Sequence, residues 1–176
     1  MPTSAREGAL ELDRRLLRAL RERGHGNPRA VRAIAAFSRG GEHAACWFAL
    51  GALGLATSPR GSARRRAFAR GIGATAAAYG LNYAVKLAVR RPRPHLADLP
   101  PLTPVVSDLS FPSAHATTSF AAASAYSRAL PQASPLLYGA AAALAASRPY
   151  LGVHYPSDVL TGAALGTVTG RLLRCR

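Results

Sequence analysis

Five apolar segments, poor in charged residues, limit the folds that are open to this 176-residue chain. They cover residues 43–58, 67–89, 114–130, 134–148 and 157–173. Basic side chains, 23 in all, stand mainly before, between or at the ends of these segments. Apolar stretches bounded by arginine are typical of helices that cross a membrane. The pattern therefore predicts an all-α fold, an integral-membrane helical bundle with about five spans and an amphipathic helix before them.

The lengths of the segments leave an alternative open. A straight helical span needs about 20 residues, and several of the segments are shorter. The mean hydropathy of +0.05 is also low for a membrane protein, because much of the apolar content is alanine. A soluble all-helical bundle therefore remains possible. In the last segment, Gly162, Gly166 and Gly170 recur at a spacing that lets two helices approach closely.

The beginning of the chain has a different pattern from the rest. We divide the sequence into N-terminal interfacial helices, residues 1–41, and a transmembrane domain, residues 42–176. Residues 4–23 have helical periodicity, and residues 28–38 fit a second short helix. Leucines form a stripe on the first helix: Leu12, Leu16, Leu17 and Leu20. We expect this helix to lie on the membrane surface or, equally, to pack against its own protein.

Charge and cysteine content exclude some functions. A net charge of +15 in a soluble protein would indicate a nucleic-acid partner. Here the arginines are not interleaved with aromatic residues, so we expect no nucleic-acid binding. The two cysteines, Cys46 and Cys175, have neither metal-ligand spacing nor the pattern of a disulfide framework.

Polar and charged residues that fit phosphate chemistry gather at the ends of the apolar segments. They form three groups along the chain: Lys86 with Arg93 and Pro94, then Pro112 to His115, then Ser147 and Arg148 with His154 and Asp158. With five crossings, the loops 90–112 and 148–156 lie on the same side of the bundle. The sequence therefore predicts one site that combines all three groups.

The first task of such a site is to bind a phosphate group. Lys86, Arg93 and Arg148 are three fixed cations that suit a dianion. Pro112 fits the first position of a helix, which would point free backbone N–H groups toward the same site. The Ser113 hydroxyl would add one more donor.

The histidines fit a two-step phosphoryl transfer. Asp158 comes one helical turn after His154, so its carboxylate can hold one ring nitrogen and leave the other free to attack phosphorus. His115 is then available to protonate the leaving oxygen. One carboxylate among three cations is a poor ligand set for Mg²⁺, so we expect neither a metal nor a cofactor.

Each group also has an ordinary structural interpretation. Arginines at span ends usually meet lipid head groups, and Ser113 or His115 alone would be helix-start or packing residues. His154 and Asp158 alone would be a local pair. The combination is more informative than its parts, because a lysine and an arginine at span depth are costly unless they serve a function.

The ordered groups resemble the motifs of the type 2 phosphatidic acid phosphatases, a family related to the vanadium haloperoxidases. The family motifs K-x6-R-P, P-S-G-H and S-R-x5-H-x3-D correspond to residues 86–94, 112–115 and 147–158. Ala114 stands where the family has glycine, a change that a helix start tolerates. Family members often have six spans, whereas this chain shows five, with the N-terminal helices in place of the first.

The resemblance implies a role for each matching residue. Phosphate binding falls to Lys86, Arg93, Ser113, Ala114 and Arg148. His154 is the implied nucleophile, His115 the acid and Asp158 the partner of His154. The segment around Glu42 and His43 is similar to short bacterial members linked to decaprenylphosphoryl-phosphoribose dephosphorylation. These two residues either contact the substrate head group or form an ordinary interfacial pair.

The function predicted from the sequence is a metal-independent lipid phosphatase in the cell membrane, a multi-pass protein with lipid phosphate and membrane lipids as its partners. Phosphatidic acid, phosphatidylglycerol phosphate, polyprenyl diphosphate and phosphoribosyl polyprenyl lipids all remain candidate substrates. The basic N-terminus favours a cytoplasmic active site. The alternative is a catalytically silent membrane binding or structural protein of the same fold. A vanadate-dependent oxidase shares the motifs, but those relatives are soluble, whereas this chain is apolar between its motifs.

Overall fold

The computed structural model describes residues 3–24 and 27–174, and these residues form helices joined by loops. In chain order the α-helices are α1 Thr3–Gly24, α2 Pro28–Arg39, α3 Ala45–Thr57, α4 Ala63–Val89, α5 Ala114–Tyr126, α6 Ser134–Tyr150 and α7 Pro156–Arg174. Two 3₁₀ turns, Glu42–Ala44 and Pro131–Ala133, precede α3 and α6. Within the described ranges β-structure is limited to an isolated bridge between Pro92 and Leu109. The predicted all-α fold is confirmed.

Each of the five apolar segments becomes one helix, from α3 to α7. One of the two largest differences lies at the start of α4, which begins at Ala63 rather than at residue 67 and so includes Arg64, Arg65 and Arg66. The Ser62 side chain accepts a hydrogen bond from the Arg65 N–H at 3.1 Å, and this N-cap starts the helix before the arginines. Among the helices that the structure describes, none combines the length and mean hydropathy expected of a membrane span.

Helix α5 forms the centre of the bundle and contacts α4, α6 and α7. Its side chains are mostly small, and all but Ala114 and Phe120 are buried. Helix α7 packs against it through the glycines at 162, 166 and 170. A Cβ atom at Gly162 would lie 2.7 Å from the carbonyl oxygen of Ser113, and those at the other two glycines would also meet backbone atoms of α5. The predicted close approach of helices at these glycines is confirmed.

The Gly166→Ala substitution should therefore destabilise the bundle. The new methyl group would lie 3.0 Å from the Ala121 nitrogen and closer still to the Thr117 carbonyl, and backbone atoms cannot rotate away. We expect a loss of about 1–3 kcal/mol in unfolding free energy, measured as a lower Tm in detergent. Gly139→Ala on α6 is the control, because open space surrounds that position. An unchanged Tm for Gly166→Ala would contradict this packing.

The N-terminal helices pack against α6 and α7. One face of α1 is buried in this contact and carries Asp13, Leu17 and Arg21. The leucine stripe was predicted as one surface, but the structure divides it. Leu17 is fully buried, whereas the other three leucines, Leu12, Leu16 and Leu20, are exposed. Helix α1 therefore packs on its own protein and also presents an apolar face outward.

Candidate active site

One cavity of about 140 Å³ collects most of the residues predicted for the site. It lies at the ends of α4, α5 and α6 and beside the loop 90–113. The predicted residues that line it are Glu42, His43, Lys86, Arg93, Ala114, His115, Arg148 and His154. Asp158 and Ser113 do not line it and are fully buried behind it. The three sequence groups therefore meet at one place, as their order along the chain predicts.

His154 lies in the short connection between α6 and α7 and is almost completely buried. Its Nε2 atom is 3.1 Å from Nη1 of Arg93. Since a guanidinium only donates hydrogen bonds, this Nε2 is an acceptor and the ring proton resides on Nδ1. Burial lowers the pKa of His154 to about 3, so the imidazole is neutral near pH 7. A neutral ring with an unprotonated Nε2 is the form that can attack phosphorus.

Asp158 stands behind His154 in the first turn of α7. This helix begins at Pro156. The Asp158 Oδ2 atom accepts the Tyr155 backbone N–H at 2.9 Å and lies 3.5 Å from Nδ1 of His154. That last distance is too long for a well-formed hydrogen bond, and Nδ1 is a buried atom without a partner. A shift of about 0.5 Å would join the two groups, as often happens when a substrate binds.

The cations reach the cavity from three elements. Lys86 is near the end of α4, Arg148 is in the last turn of α6, and Arg93 is in the loop between α4 and α5. Backbone carbonyls fix the Arg93 guanidinium: Nε donates to Ser107 at 2.6 Å and Nη1 to Val153 at 2.7 Å. The folded loop therefore aims this side chain at His154.

The turn before α5 differs from the prediction. Pro112 was expected at the first helical position, but Ser113 is the N-cap and the helix begins at Ala114. The physical reason is that a serine oxygen accepts a helical N–H, here that of Ala116, which proline cannot do. This role keeps the Ser113 hydroxyl behind the cavity rather than on its wall. Ala114 itself faces the cavity.

Asn82 also shapes this turn, although sequence reasoning did not select it. Its side-chain amide is buried in α4 and donates to the Pro112 carbonyl at 3.1 Å and to the Thr117 hydroxyl at 3.0 Å. It also lines the cavity. In the sequence, Asn82 stands out only as an isolated polar residue in an apolar segment, one helical turn before Lys86.

His115 is held by the end of α2. Its Nε2 lies 3.0 Å from the backbone carbonyl of Ser38 and therefore carries a proton directed at that oxygen. Gly41 allows this close contact, because a Cβ atom there would come within 2.8 Å of the imidazole ring. The N-terminal region thus fixes the ring that the sequence predicts to be the acid.

Ser38 also contacts a second site residue through its hydroxyl. The Ser38 Oγ accepts a hydrogen bond from Nη1 of Arg148 at 2.7 Å and lies 3.0 Å from the Ser147 hydroxyl. Sequence analysis did not select Ser38, because the contact joins residues 110 positions apart. The only nearby feature of note in the sequence is the pair Gly40 and Gly41, which follows Ser38 after one residue.

Loss of this hydroxyl should lower activity without unfolding the protein. In Ser38→Ala, Arg148 would lose a buried acceptor, and its guanidinium would be free to turn from the cavity. A hydrogen bond to a charged group contributes about 1.5–3 kcal/mol, so we expect kcat/KM to fall by roughly tenfold or more. Ser127→Ala, at the far end of α5, is the matched control. Equal activity of Ser38→Ala and the control would contradict this role.

The opposite wall of the cavity contains groups that suit a polar substrate. Glu42 and His43 lie in the 3₁₀ turn before α3, and Nδ1 of His43 is 3.0 Å from the hydroxyl of Tyr79. Apolar residues of the loop 90–113 complete the wall, among them Val105 and Val106. Val106 is 81% exposed, which places an apolar side chain at the mouth of a cationic cavity.

Comparison with known proteins agrees with this arrangement. The sequence profile of the PAP2 superfamily matches residues 69–175. The chain belongs to the PAP2 superfamily. A decaprenylphosphoryl-5-phosphoribose phosphatase from Mycolicibacterium smegmatis is 42% identical over 137 residues, which cover 78% of this chain and 73% of that protein. A protein of the same name from Mycobacterium tuberculosis is 41% identical over 133 residues, covering 76% and 72%. The predicted PAP2-type phosphatase is thereby confirmed.

Three solved structures share the fold. LpxE from Aquifex aeolicus superposes with a TM-score of 0.78 at 24% identity, covering 92% of this chain and 94% of that one. A transmembrane PAP2-type phosphatidylglycerolphosphate phosphatase from Bacillus subtilis gives 0.73 at 22% identity, covering 96% and 85%. A bacterial vanadium-dependent iodoperoxidase gives 0.74 at 19% identity, covering 94% and 48%. At these identities the likeness concerns the fold alone.

Proposed function

We propose that this PAP2 superfamily member is a multi-pass membrane enzyme that removes the terminal phosphate from a phosphoribosyl polyprenyl lipid of the decaprenylphosphoryl-5-phosphoribose class. The observation that carries the proposal is the position of His154, which lines a cavity together with three cations and is backed by Asp158. The substrate class is supported by the curated relatives at 41–42% identity, which carry that lipid in their names.

The exterior of the bundle supports a place in the cell membrane. Large apolar side chains are exposed on α3, α4, α6 and α7 rather than buried between helices. Examples are Leu53, Leu81, Leu87, Leu136, Leu160 and Leu172. A bilayer would cover these side chains, and the exposed leucines of α1 would lie at its interface. Since α1 and α2 contact the site, the basic N-terminus and the cavity share one side, which favours a cytoplasmic site.

The first chemical step transfers the phosphoryl group to the protein. Nε2 of His154 attacks phosphorus, and the bond between phosphorus and the ester oxygen breaks. Protonated His115, favoured by the bound phosphate dianion, gives its proton to that oxygen and the alcohol leaves. Lys86, Arg93 and Arg148 offset the charge on the phosphoryl oxygens. Asp158 stabilises the positive charge that develops on His154.

The second step returns the protein to its starting form. Neutral His115 takes a proton from water while the oxygen attacks phosphorus, and the bond from phosphorus to Nε2 breaks. The products are inorganic phosphate and protonated His115, with His154 neutral again. In this step the only bond formed to phosphorus is that from the water oxygen. The cycle therefore uses no residue beyond those that line or support the cavity.

The low pKa of His154 removes the nucleophile as a cause of pH dependence in the working range. Because that pKa is about 3, the nucleophile stays neutral throughout pH 4.5–8 and does not set the acid limb. We expect kcat/KM to fall below about pH 6, where the substrate phosphate gains its second proton. A thiophosphate ester has a lower second pKa and should move the limb to lower pH. An acid limb at the same pH for both substrates would contradict the assignment of that limb to the substrate phosphate.

The proposal is tested by phosphate release from detergent-purified protein. The panel contains phosphatidic acid, phosphatidylglycerol phosphate, a polyprenyl diphosphate and decaprenylphosphoryl-5-phosphoribose 5-phosphate, each with a metal chelator present. We expect release to continue with the chelator and to be fastest for the phosphoribosyl lipid. Faster release from a glycerolipid would overturn the substrate class but leave the chemistry intact. No release from any lipid by folded protein would overturn both.

A further inference from the structure

Arg91, which is not one of the motif residues, binds Asp158, the carboxylate behind the proposed nucleophile. Its Nη1 atom donates to Oδ1 of Asp158 and to the Ser157 hydroxyl, both at 2.8 Å. The guanidinium is largely buried and lies 4.1 Å above the ring of Tyr155. Stacking on one side and two hydrogen bonds on the other leave this side chain little freedom.

Asp13 of α1 completes the arrangement from a distant part of the chain. Its Oδ2 accepts a hydrogen bond from Nη2 of Arg91 at 2.8 Å, and its Oδ1 accepts the Ser157 backbone N–H at 3.0 Å. The Ser157 hydroxyl contacts the same carboxylate. Asp13 is itself buried, so these contacts are weakly screened by water.

We propose that Asp13 and Arg91 are positioning residues that hold the Asp158 carboxylate toward His154, and that α1 is thereby part of the catalytic unit. The proposal rests on the proposed function. Asp158 is completely buried, and its Oδ1 is occupied by Arg91. Only Oδ2 remains to face Nδ1 of His154. Without Arg91 the carboxylate would lose the counter-charge on its Oδ1, and only the Tyr155 N–H on Oδ2 would orient it.

The charges explain why two residues are needed. Arg91 alone would neutralise Asp158, and His154 would then face a pair with no net charge. Asp13 adds a second negative charge on the far side of the guanidinium, so the group of three carries a net charge of −1. That charge stabilises the positive phosphohistidine more than the neutral imidazole of the starting state. The expected effect is therefore on the chemical step and not on substrate binding.

A simple tether between α1 and the bundle is the competing explanation. Arg18 provides the matched control, because it also joins α1 to the bundle side, through Asp98 at 2.6 and 2.9 Å. This pair is exposed and touches no site residue. If these contacts only tether α1, loss of either one should lower the rate by the same factor. If Asp13 and Arg91 position Asp158, only their substitution should lower the rate.

The test measures single-turnover and steady-state kinetics with a short-chain phosphoribosyl prenyl lipid labelled with ³²P at the 5-phosphate. We expect Arg91→Gln and Asp13→Asn to lower the rate of His154 phosphorylation by about 10- to 100-fold, the range usual for groups that orient a reactive ligand. KM should stay within about twofold, because neither residue lines the cavity. Arg91→Lys should restore part of the rate, and Arg18→Gln should match the wild type.

At saturating protein concentration, single-turnover rate constants do not depend on the fraction of protein that is folded, so a poorly folding variant still gives an answer. Rates for Asp13→Asn and Arg91→Gln equal to that of Arg18→Gln would overturn the positioning role while leaving the proposed function intact. An equal loss in all three variants would show a tether and also overturn it. A wild-type protein that forms no labelled intermediate would instead count against the proposed function.

Discussion

Phosphatase activity should disappear in the His154→Ala variant. We expect kcat to fall by about 10⁴-fold or more, because the covalent intermediate of the proposed mechanism forms on Nε2 of His154. Water would have to attack the bound phosphate directly, assisted only by the cations and His115. The variant should still bind the lipid, since Lys86, Arg93 and Arg148 remain, so the loss should appear in kcat and not in affinity.

The intermediate itself gives the more direct measurement. Wild-type protein mixed with ³²P-labelled lipid and quenched within the first turnover should carry label that is stable in alkali and lost in acid, as expected for a phosphorus–nitrogen bond. His154→Ala should carry none. His95→Ala is the control, because His95 is exposed in the loop 90–113 and does not line the cavity. Label that persists on the His154→Ala protein would place the nucleophile elsewhere.

The parts of this site that depend on spacing along one helix or one turn could be predicted from sequence. Asp158 follows His154 by one turn, and Pro156 between them starts α7, so their proximity is set locally. The loops 90–113 and 151–155 lie at the same end of the bundle because the intervening helices, α5 and α6, run out and back. Alternation of apolar and basic residues was sufficient to predict that arrangement.

The supporting residues could not be predicted, because each depends on how α1 and α2 pack. Ser38 contacts Arg148 across 110 positions, and Asp13 contacts Ser157 across 144. Nothing local marks either residue, since a serine near a helix end and an acid in an arginine-rich helix both have ordinary explanations. The division of the leucines of α1 has the same cause. Periodicity indicates an apolar stripe, but tertiary packing decides which part of it is buried.

The error at Pro112 has a different origin. Proline and serine both favour helix starts, and the sequence places them side by side. Serine takes the N-cap position because its oxygen accepts a helical N–H. Proline at the first helical position only avoids leaving one backbone N–H without a partner. The shift of the helix start from Pro112 to Ala114 matters for function, because it buries the Ser113 hydroxyl and leaves Ala114 on the cavity wall.

The second large effect is expected for His115→Ala, and it should depend on the leaving group. With a lipid phosphate the leaving alkoxide needs a proton, so we expect kcat to fall by about 10²- to 10⁴-fold. With an aryl phosphate such as p-nitrophenyl phosphate the leaving group is stable as an anion. Its phosphorylation step should therefore lose much less rate than that of the lipid.

The same variant should then reveal the second step. Without a base to activate water, hydrolysis of the phosphohistidine becomes slow, so p-nitrophenyl phosphate should give a burst of about one p-nitrophenolate per active site. Equal losses for both substrates, without a burst, would mean that His115 only supports the fold of the cavity. Ser38→Ala helps to separate these cases. In that variant the backbone carbonyl of residue 38 still accepts the hydrogen bond from Nε2 of His115, while Arg148 loses the hydroxyl that accepts its hydrogen bond. That variant should slow both substrates alike, because it weakens phosphate binding and leaves proton transfer in place.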